Sequence, residues 1–514
     1  MVLTTSRSGP WLPAAASARR SSSFDVLELL ALVVLALLST WVVALNLWLA
    51  ARHGLVWTGI DGEFPVDQMQ YLAWVQDASR HVLASDLFRV GPTAHDYLQP
   101  MLAISGGLTA AGVAPWLALL LWKPVSVAAI FFAARAYCRG ALPRRWERLA
   151  ALALALFAAF WGTVGDEWIP FFSWGYPFGL VAIAAMVGAL VCYDRARSPW
   201  VPAALGLLAS WLHPWQGELL ILVILGSEAV LWRRARRRLT LPAVTIAAAA
   251  LPLVYYAILE RSDPVWRLAE TITRHHPWSL SSALLPLLPL LILSVPAYLK
   301  PPDGFIGLSA RIWPLASFVV WFVTKAGVGA TPLHAWTGIT VPLAVLAVEG
   351  VQVAGLRRVP GHRWIALLAV GALTIPGSYL QMKPTEQYIA PATGNQNLVT
   401  HSEQRALSFL ANDPTPGAVL SSYRLGDAVP GATGRHTFGG DYRWSGPDYE
   451  LREQLAWHLL HGDMSAAAAR RFVLASGVRF VIADCGEPVN LSRIVSSLKL
   501  TVRHFGCATV YEVG

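Results

Sequence analysis

The chain has 514 residues, of which 55% are hydrophobic and only 14% charged, and its mean hydropathy is +0.48. A soluble protein of this length would carry nearer a quarter charged residues, so composition excludes an ordinary soluble enzyme. The formal charge of +9 does not point to nucleic acid, because the arginines sit beside hydrophobic blocks and form no single basic domain.

The apolar residues fall in blocks of roughly 16–25, the length that crosses a bilayer core. In chain order the expected spans are 26–50, 115–138, 149–164, 176–192, 201–212, 215–232, 242–259, 283–299, 312–326, 336–356 and 364–380. That makes about eleven crossings of a polytopic α-helical membrane protein. The first block is long enough to span and no small-residue cleavage site follows it, so it reads as a span and not as a leader. Around His213-Pro214 both halves are short, and a single broken helix is the alternative to two crossings. Several Trp sit at block ends (Trp116, Trp161, Trp215, Trp232, Trp336, Trp364), as in an interfacial aromatic belt.

Alternate short loops carry the arginines: Arg139, Arg144, Arg145 and Arg148, then Arg195 and Arg197, then Arg233 to Arg238, then Lys300 and Arg311, then Arg357, Arg358 and Arg363. The N-terminal tail adds Arg7, Arg19 and Arg20. The positive-inside rule makes 1–25 a cytoplasmic tail and 26–380 the transmembrane domain, with a long outer loop at 53–114. An odd number of spans then puts 381–514 outside. That segment turns polar and rich in Gly and Pro. The apolar runs Ala418-Val419-Leu420 and 478–483 read as buried strands, with helical patterns at 402–412, 448–461 and 465–475, so a small extracytoplasmic α/β domain is expected. Cys485 and Cys507 both fall there, beside strands. An exported domain permits a disulfide, and spacing alone leaves the pairing open.

The first outer loop holds Asp61, Glu63 and Asp67. The pattern turns helical from Asp67, placing Asp67 and Tyr71 on one face at i, i+4, with Trp74 following. A carboxylate shielded at the membrane edge suits a general base acting on a hydroxyl; the same acids on a solvated loop would do no chemistry. Asp166-Glu167 form a second acidic pair between Trp161 and Trp168, in a setting that suits a sugar or a metal as well as a plain loop. His213 interrupts a hydrophobic stretch, where polar groups are costly. Lys123 lies inside the second span and has the charge to neutralise a lipid phosphate. Arg267 and Arg274, in the outer loop after the seventh span, are further cations, whereas Lys325 reads as a snorkelling side chain. The adjacent His275-His276 face apart on a helix and make a weak metal pair. No Walker loop, dinucleotide fingerprint or HExxH zinc motif is present.

This layout resembles the GT-C fold of integral membrane glycosyltransferases, the superfamily of the protein mannosyltransferases and aminoarabinose transferase. The resemblance lies in a single span, a long outer loop with an early acidic motif, a second acid in the next outer loop, many further spans and an outer soluble domain. In the tail, Pro416-Gly-Ala-Val-Leu-Ser-Ser, Gly434-Arg-His, Gly439-Gly, Val478-Arg-Phe-Val-Ile-Ala and Phe505-Gly-Cys-Ala-Thr-Val-Tyr511 look like uncharacterised bacterial members. The resemblance implies a multi-pass enzyme of the cell envelope, in the plasma membrane. It would move a sugar from a polyprenyl-phosphate donor to a glycan, lipid or protein acceptor. The family's first-loop acid, a base or a metal-positioning group, maps to Asp67, with Asp61 as the rival. The second-loop acid maps to Asp166. Glu63, Tyr71, Glu167, His213, Lys123, Arg267 and Arg274 are then expected to bind substrate. Gly62 interrupts the acidic pair usual in protein mannosyltransferases and leaves the base open between Asp61 and Asp67. No cofactor is required by the sequence; a divalent metal is compatible with it, its ligands unassigned. The competing classes are a lipid or polysaccharide transporter, for which the two related halves are not seen, and a non-catalytic export scaffold.

Overall fold

A computed structural model describes residues 24–514 apart from 161, 162, 164, 197, 233–238, 275–277, 356–360, 488 and 495–497. Most of the 1–25 tail, Trp161, Arg197, the arginine run 233–238, His275-His276 and Arg357-Arg358 thus lie outside the described residues.

The chain is a polytopic helical membrane protein with a small C-terminal sheet domain. Nine described helices are long and apolar enough to cross a bilayer, from Val26–His53 through Pro115–Ala141 to His362–Tyr388. The remaining two expected spans, 149–164 and 201–212, fall on Arg145–Phe157 and Trp200–Leu212, each of 13 residues. At 1.5 Å per residue such a helix is about 20 Å long, short of a core of about 30 Å. Trp200–Leu212 packs between Pro177–Arg195 and Thr240–Ser262, and ends at the His213-Pro214 break.

Strand pairing constrains the crossings. Strand β1 (Leu55–Trp57) follows the first helix and pairs antiparallel with β2 (Leu398–Thr400), Val56 opposite Val399. The start of the first loop and the start of the C-terminal domain therefore lie at one side of the bundle. An even number of crossings must separate them. The eight long helices after the first of the nine meet this condition, either alone or with both short helices, but not with just one.

Helix His362–Tyr388 runs past the expected span end at 380. Polar Gln381-Met-Lys-Pro-Thr marks where it leaves the apolar layer, not where it stops. Beyond it a four-stranded sheet has the order β3-β4-β6-β5, built from β3 (Ala418–Leu420), β4 (Val478–Ala483), β5 (Leu500–Phe505) and β6 (Ala508–Val513). β3 and β4 are parallel, and β6 is antiparallel to both β4 and β5. The apolar runs at 418–420, on the edge strand β3, and at 478–483, on the central strand β4, are buried apart from the half-buried Arg479. The expected helices appear at His401–Asn412, Tyr449–Leu460 and Ala466–Ala475. Cys485 and Cys507 are disulfide-bonded, with Cα atoms 4.9 Å apart. One expected belt residue is corrected: Trp336 is 1% exposed and packs on Phe318 and Trp321, because its block begins inside the bundle. Trp232 and Trp364 are exposed.

Candidate active site

The first long loop turns sharply after β1. Gly62 has φ +87°, and a Cβ there would come within 2.9 Å of the Asn397 side chain, so the interruption between Asp61 and Glu63 is a backbone requirement. The turn is pinned from several sides. Asn46 of the first helix donates to the Asp61 carbonyl at 2.7 Å, Asn397 donates to Asn46 at 2.6 Å, and Asn395 donates to the Gly62 carbonyl at 2.9 Å. The Gln68 side chain accepts from the Asp61 and Gly62 amides at 2.8 and 3.2 Å, and donates to the Trp174 carbonyl at 3.0 Å. A Cβ at Gly175 would meet Gln68 Nε2 at 2.8 Å, so glycine leaves room for the Gln68 amide at the Trp174 carbonyl.

Helix Pro65–His81 starts immediately afterwards, with Pro at its first position and Asp67 in its first turn. Three segments meet here: 61–68, 173–176 and 441–443. Asp61 Oδ2 accepts from Lys123 Nζ at 2.8 Å, and both side chains are buried. Lys123 also donates to the Ser173 carbonyl. Burial pushes the Asp61 carboxyl above the usual range, against the opposing pull of the Lys123 charge. Asp67 accepts from the Tyr176 hydroxyl and pairs with Arg443. Arg443 in turn binds Asp441 through Nε at 3.0 Å and Nη2 at 2.6 Å. Burial pushes Asp441 up, with Arg443 opposing. Glu63 bonds Thr385 of helix His362–Tyr388, and burial raises its proton affinity. Its Oε2 is buried with no hydrogen-bond partner among the described residues.

The expected site residues therefore divide. Asp61, Glu63, Asp67 and Lys123 are brought together. Tyr71 is buried beside Tyr176, ring centroids 5.9 Å apart, so it shares a neighbour with Asp67. Trp74 is committed to packing, stacked on Trp266 and edge-on to Trp444, so it offers no open ring to a sugar. Asp166 falls on the 3-10 turn Gly165–Glu167, and its side chain lies outside the described residues. Glu167, in the same turn, is fully buried. The next residue, Trp168, packs edge-on against Trp174, whose carbonyl holds Gln68 and Lys123. His213 bonds Gln216 and sits against Phe172 and His334. Phe172 packs on Tyr176, so His213 is two rings from Asp67.

Arg267 and Arg274 go elsewhere, a correction to the cation assignment. The short helix Pro264–Arg274 buries Val265 and Ala269 and turns its arginines away. Arg267 is exposed and bonds the Glu260 and Arg261 carbonyls, while Arg274 bonds Glu270 at 2.7 Å and the Gly329 carbonyl at 3.1 Å. The cation that sequence reasoning missed is Arg443, with Asp441 and Tyr176. Gly439-Gly-Asp-Tyr-Arg-Trp444 packs glycine, charge and aromatics into one short stretch, and that was the available signal.

In this arrangement Asp61 and Asp67 each face a cation.

No family model matches the chain. No curated protein matches it by sequence. In fold it is similar to the oligosaccharyltransferase of Archaeoglobus fulgidus. Against the apo form the TM-score is 0.56 at 13% identity, over 92% of this chain and 73% of that one. Against the AglB complex with an inhibitory peptide and a dolichol-phosphate the score is 0.51 at 14% identity, over 92% and 72%. Against the form tethered to an acceptor peptide it is 0.53 at 14% identity, over 90% and 69%. The likeness is one of fold, and that fold is GT-C.

Proposed function

We propose that this chain is a glycosyltransferase that moves a sugar from a polyprenyl-phosphate carrier to an acceptor hydroxyl at the outer face of the membrane. The observation carrying this reading is the meeting of Asp61, Glu63 and Asp67 with Lys123 and Arg443, between a membrane span and the C-terminal domain. A phosphate-linked donor needs cations where its leaving phosphate gathers charge, and an acid where the acceptor loses its proton. Both occur here, the acids on one loop and the cations on a span and in the C-terminal domain. The dolichol-phosphate bound to the Archaeoglobus enzyme is a carrier of the same chemical class. Domain segments 53–114 and 381–514 are outside in this reading, and the N-terminus is cytoplasmic.

In the resting site the cations are held by carboxylates. An entering donor phosphate competes for Lys123 and Arg443 and releases Asp67 from its guanidinium. Asp67 then accepts the acceptor's hydroxyl proton while the oxygen forms its bond to C1. The C1–phosphate oxygen bond breaks, and polyprenyl phosphate leaves with the electron pair. Glu63 stands near as a group for the sugar or the acceptor. The experiment is transfer from a synthetic polyprenyl-phosphate sugar in reconstituted vesicles. A scaffold or transporter would give no new glycosidic bond whatever donor is offered, and loss of transfer in acid variants that insert normally belongs only to the enzyme.

A further inference from the structure

We propose a divalent transition-metal site, with zinc as the fitting ion, formed by Asp77, His81 and His95 on the first outer loop and separate from the acid–cation site. Asp77 and His81 stand one turn apart at the C-terminal end of helix Pro65–His81, ten residues and roughly 15 Å along the helix from Asp67. His95 arrives from the following loop. An antiparallel bridge, the Ala84 amide to the Tyr97 carbonyl at 2.9 Å and the Tyr97 amide to the Ala84 carbonyl at 3.1 Å, folds that loop back beside the helix end.

The ligand atoms already converge. His81 Nδ1 lies 2.9 Å from Asp77 Oδ1, and His95 Nδ1 lies 3.1 Å from Asp77 Oδ2. All three donor atoms fall within 4.8 Å of one another. A tetrahedral zinc ion with bonds near 2.0–2.1 Å sets its ligand atoms about 3.3 Å apart, so only a small adjustment admits the ion. The neutral imidazoles would then carry their protons on Nε2, leaving Nδ1 free to ligate. Asp77 is oriented by the Ser85 amide at 2.7 Å and the Ser85 hydroxyl at 2.9 Å, both donating to Oδ2. Such outer-shell support is characteristic of metal ligands. The His81 and His95 side chains are 47% and 39% exposed, which leaves an approach from solvent and room for a water as fourth ligand.

A second observation comes from the backbone. Val82, next after His81, has φ +68°. A β-branched residue is a poor choice for that region, and such strain concentrates at ligand clamps. Here the strained turn is what carries Ser85 back onto Asp77. The ion would fasten the loop to the helix that presents Asp67.

The test needs neither donor nor acceptor, so it stands apart from the transfer reading. Protein carrying no polyhistidine tag is stripped with chelator in detergent and titrated with zinc chloride by calorimetry. Stoichiometric zinc binding is expected in the wild-type chain and in Asp67→Asn. His81→Asn/His95→Asn should lose at least about 100-fold in affinity and Ser85→Ala about tenfold. The single variant His95→Gln, at an exposed loop position, should lose binding too, and circular dichroism identifies any variant that has unfolded. Absence of stoichiometric zinc in the wild-type chain overturns the site, as does undiminished binding in folded His95→Gln. Loss of binding in Asp67→Asn with retention in the histidine variants would move the metal to the acid–cation site and also overturn it.

Discussion

Arg443 of the C-terminal domain pairs with Asp67 of the first long loop, bridging segments more than 370 positions apart in the chain. The same guanidinium binds Asp441, which is fully buried. One cation thus serves two carboxylates and ties the loop helix to the C-terminal domain. The neighbouring pair, Lys123 with Asp61, ties the same loop to a membrane span.

Removal of Arg443 should therefore be costly. Arg443→Ala leaves two carboxylates facing each other with their counter-charge gone, and breaking a buried pair this way costs about 3–5 kcal/mol. Arg443→Ala/Asp441→Asn should recover part of that loss in thermal unfolding, because the most buried charge goes too. Equal melting temperatures for the single and double variants would contradict the pairing.

Lys123 and Asp61 should behave as a unit. Lys123→Met alone leaves a buried carboxylate and should destabilise by about 3–5 kcal/mol, whereas Lys123→Met/Asp61→Asn should destabilise far less. A double-mutant cycle by chemical denaturation in micelles reads the coupling. Additive effects would mean that the two charges do not meet.

Asp86 supplies a pH dependence. It is buried in the first long loop, with its Oδ1 accepting from the Phe88 amide at 2.8 Å, and burial pushes its carboxyl from 3.8 to about 7. The folded state thus keeps a proton that the unfolded chain releases. Its contribution to stability is full below the unfolded value of 3.8 and is lost as pH rises to about 7. The slope is about 1.4 kcal/mol per pH unit within that window. Asp86→Asn should flatten the fall in melting temperature between pH 5 and 7, about two units of that window. An unchanged profile would show that Asp86 ionises normally.

The Cys485–Cys507 bridge closes the segment between β4 and the β5–β6 hairpin. Replacing both with Ala should cost about 2–4 kcal/mol. Protein purified without reductant should show no thiol reactivity at these positions. Free thiols at both would contradict the bridge.

Much of the fold was legible because membrane spans announce themselves by length and composition. The strands 418–420 and 478–483 were legible as short apolar runs in a polar segment. Helix Arg145–Phe157 stops short of the end of its apolar block at 164, because an apolar run says nothing of where a helix breaks. Asp61, Glu63 and Asp67 stood out as acids clustered beside a span. Arg443 did not, because its meaning depends on a contact with Asp67 that no local pattern encodes. Arg267 and Arg274 looked equivalent to it in charge and loop position. What separates them is that the Pro264–Arg274 helix turns its apolar side inward.

The base assignment bears most directly on the central claim. Asp67→Asn keeps the size of the side chain and removes the charge that faces Arg443 and Tyr176. Transfer from a polyprenyl-phosphate sugar to acceptor is measured in vesicles for the wild-type chain, Asp67→Asn and Asp61→Asn, with donor binding measured separately. The account predicts that Asp67→Asn loses about 10²–10⁴-fold in rate while still binding donor, as expected for loss of a general base. Wild-type transfer rates in Asp67→Asn would contradict that assignment, and no transfer by the wild-type chain with any polyprenyl-phosphate sugar would contradict the glycosyltransferase reading itself.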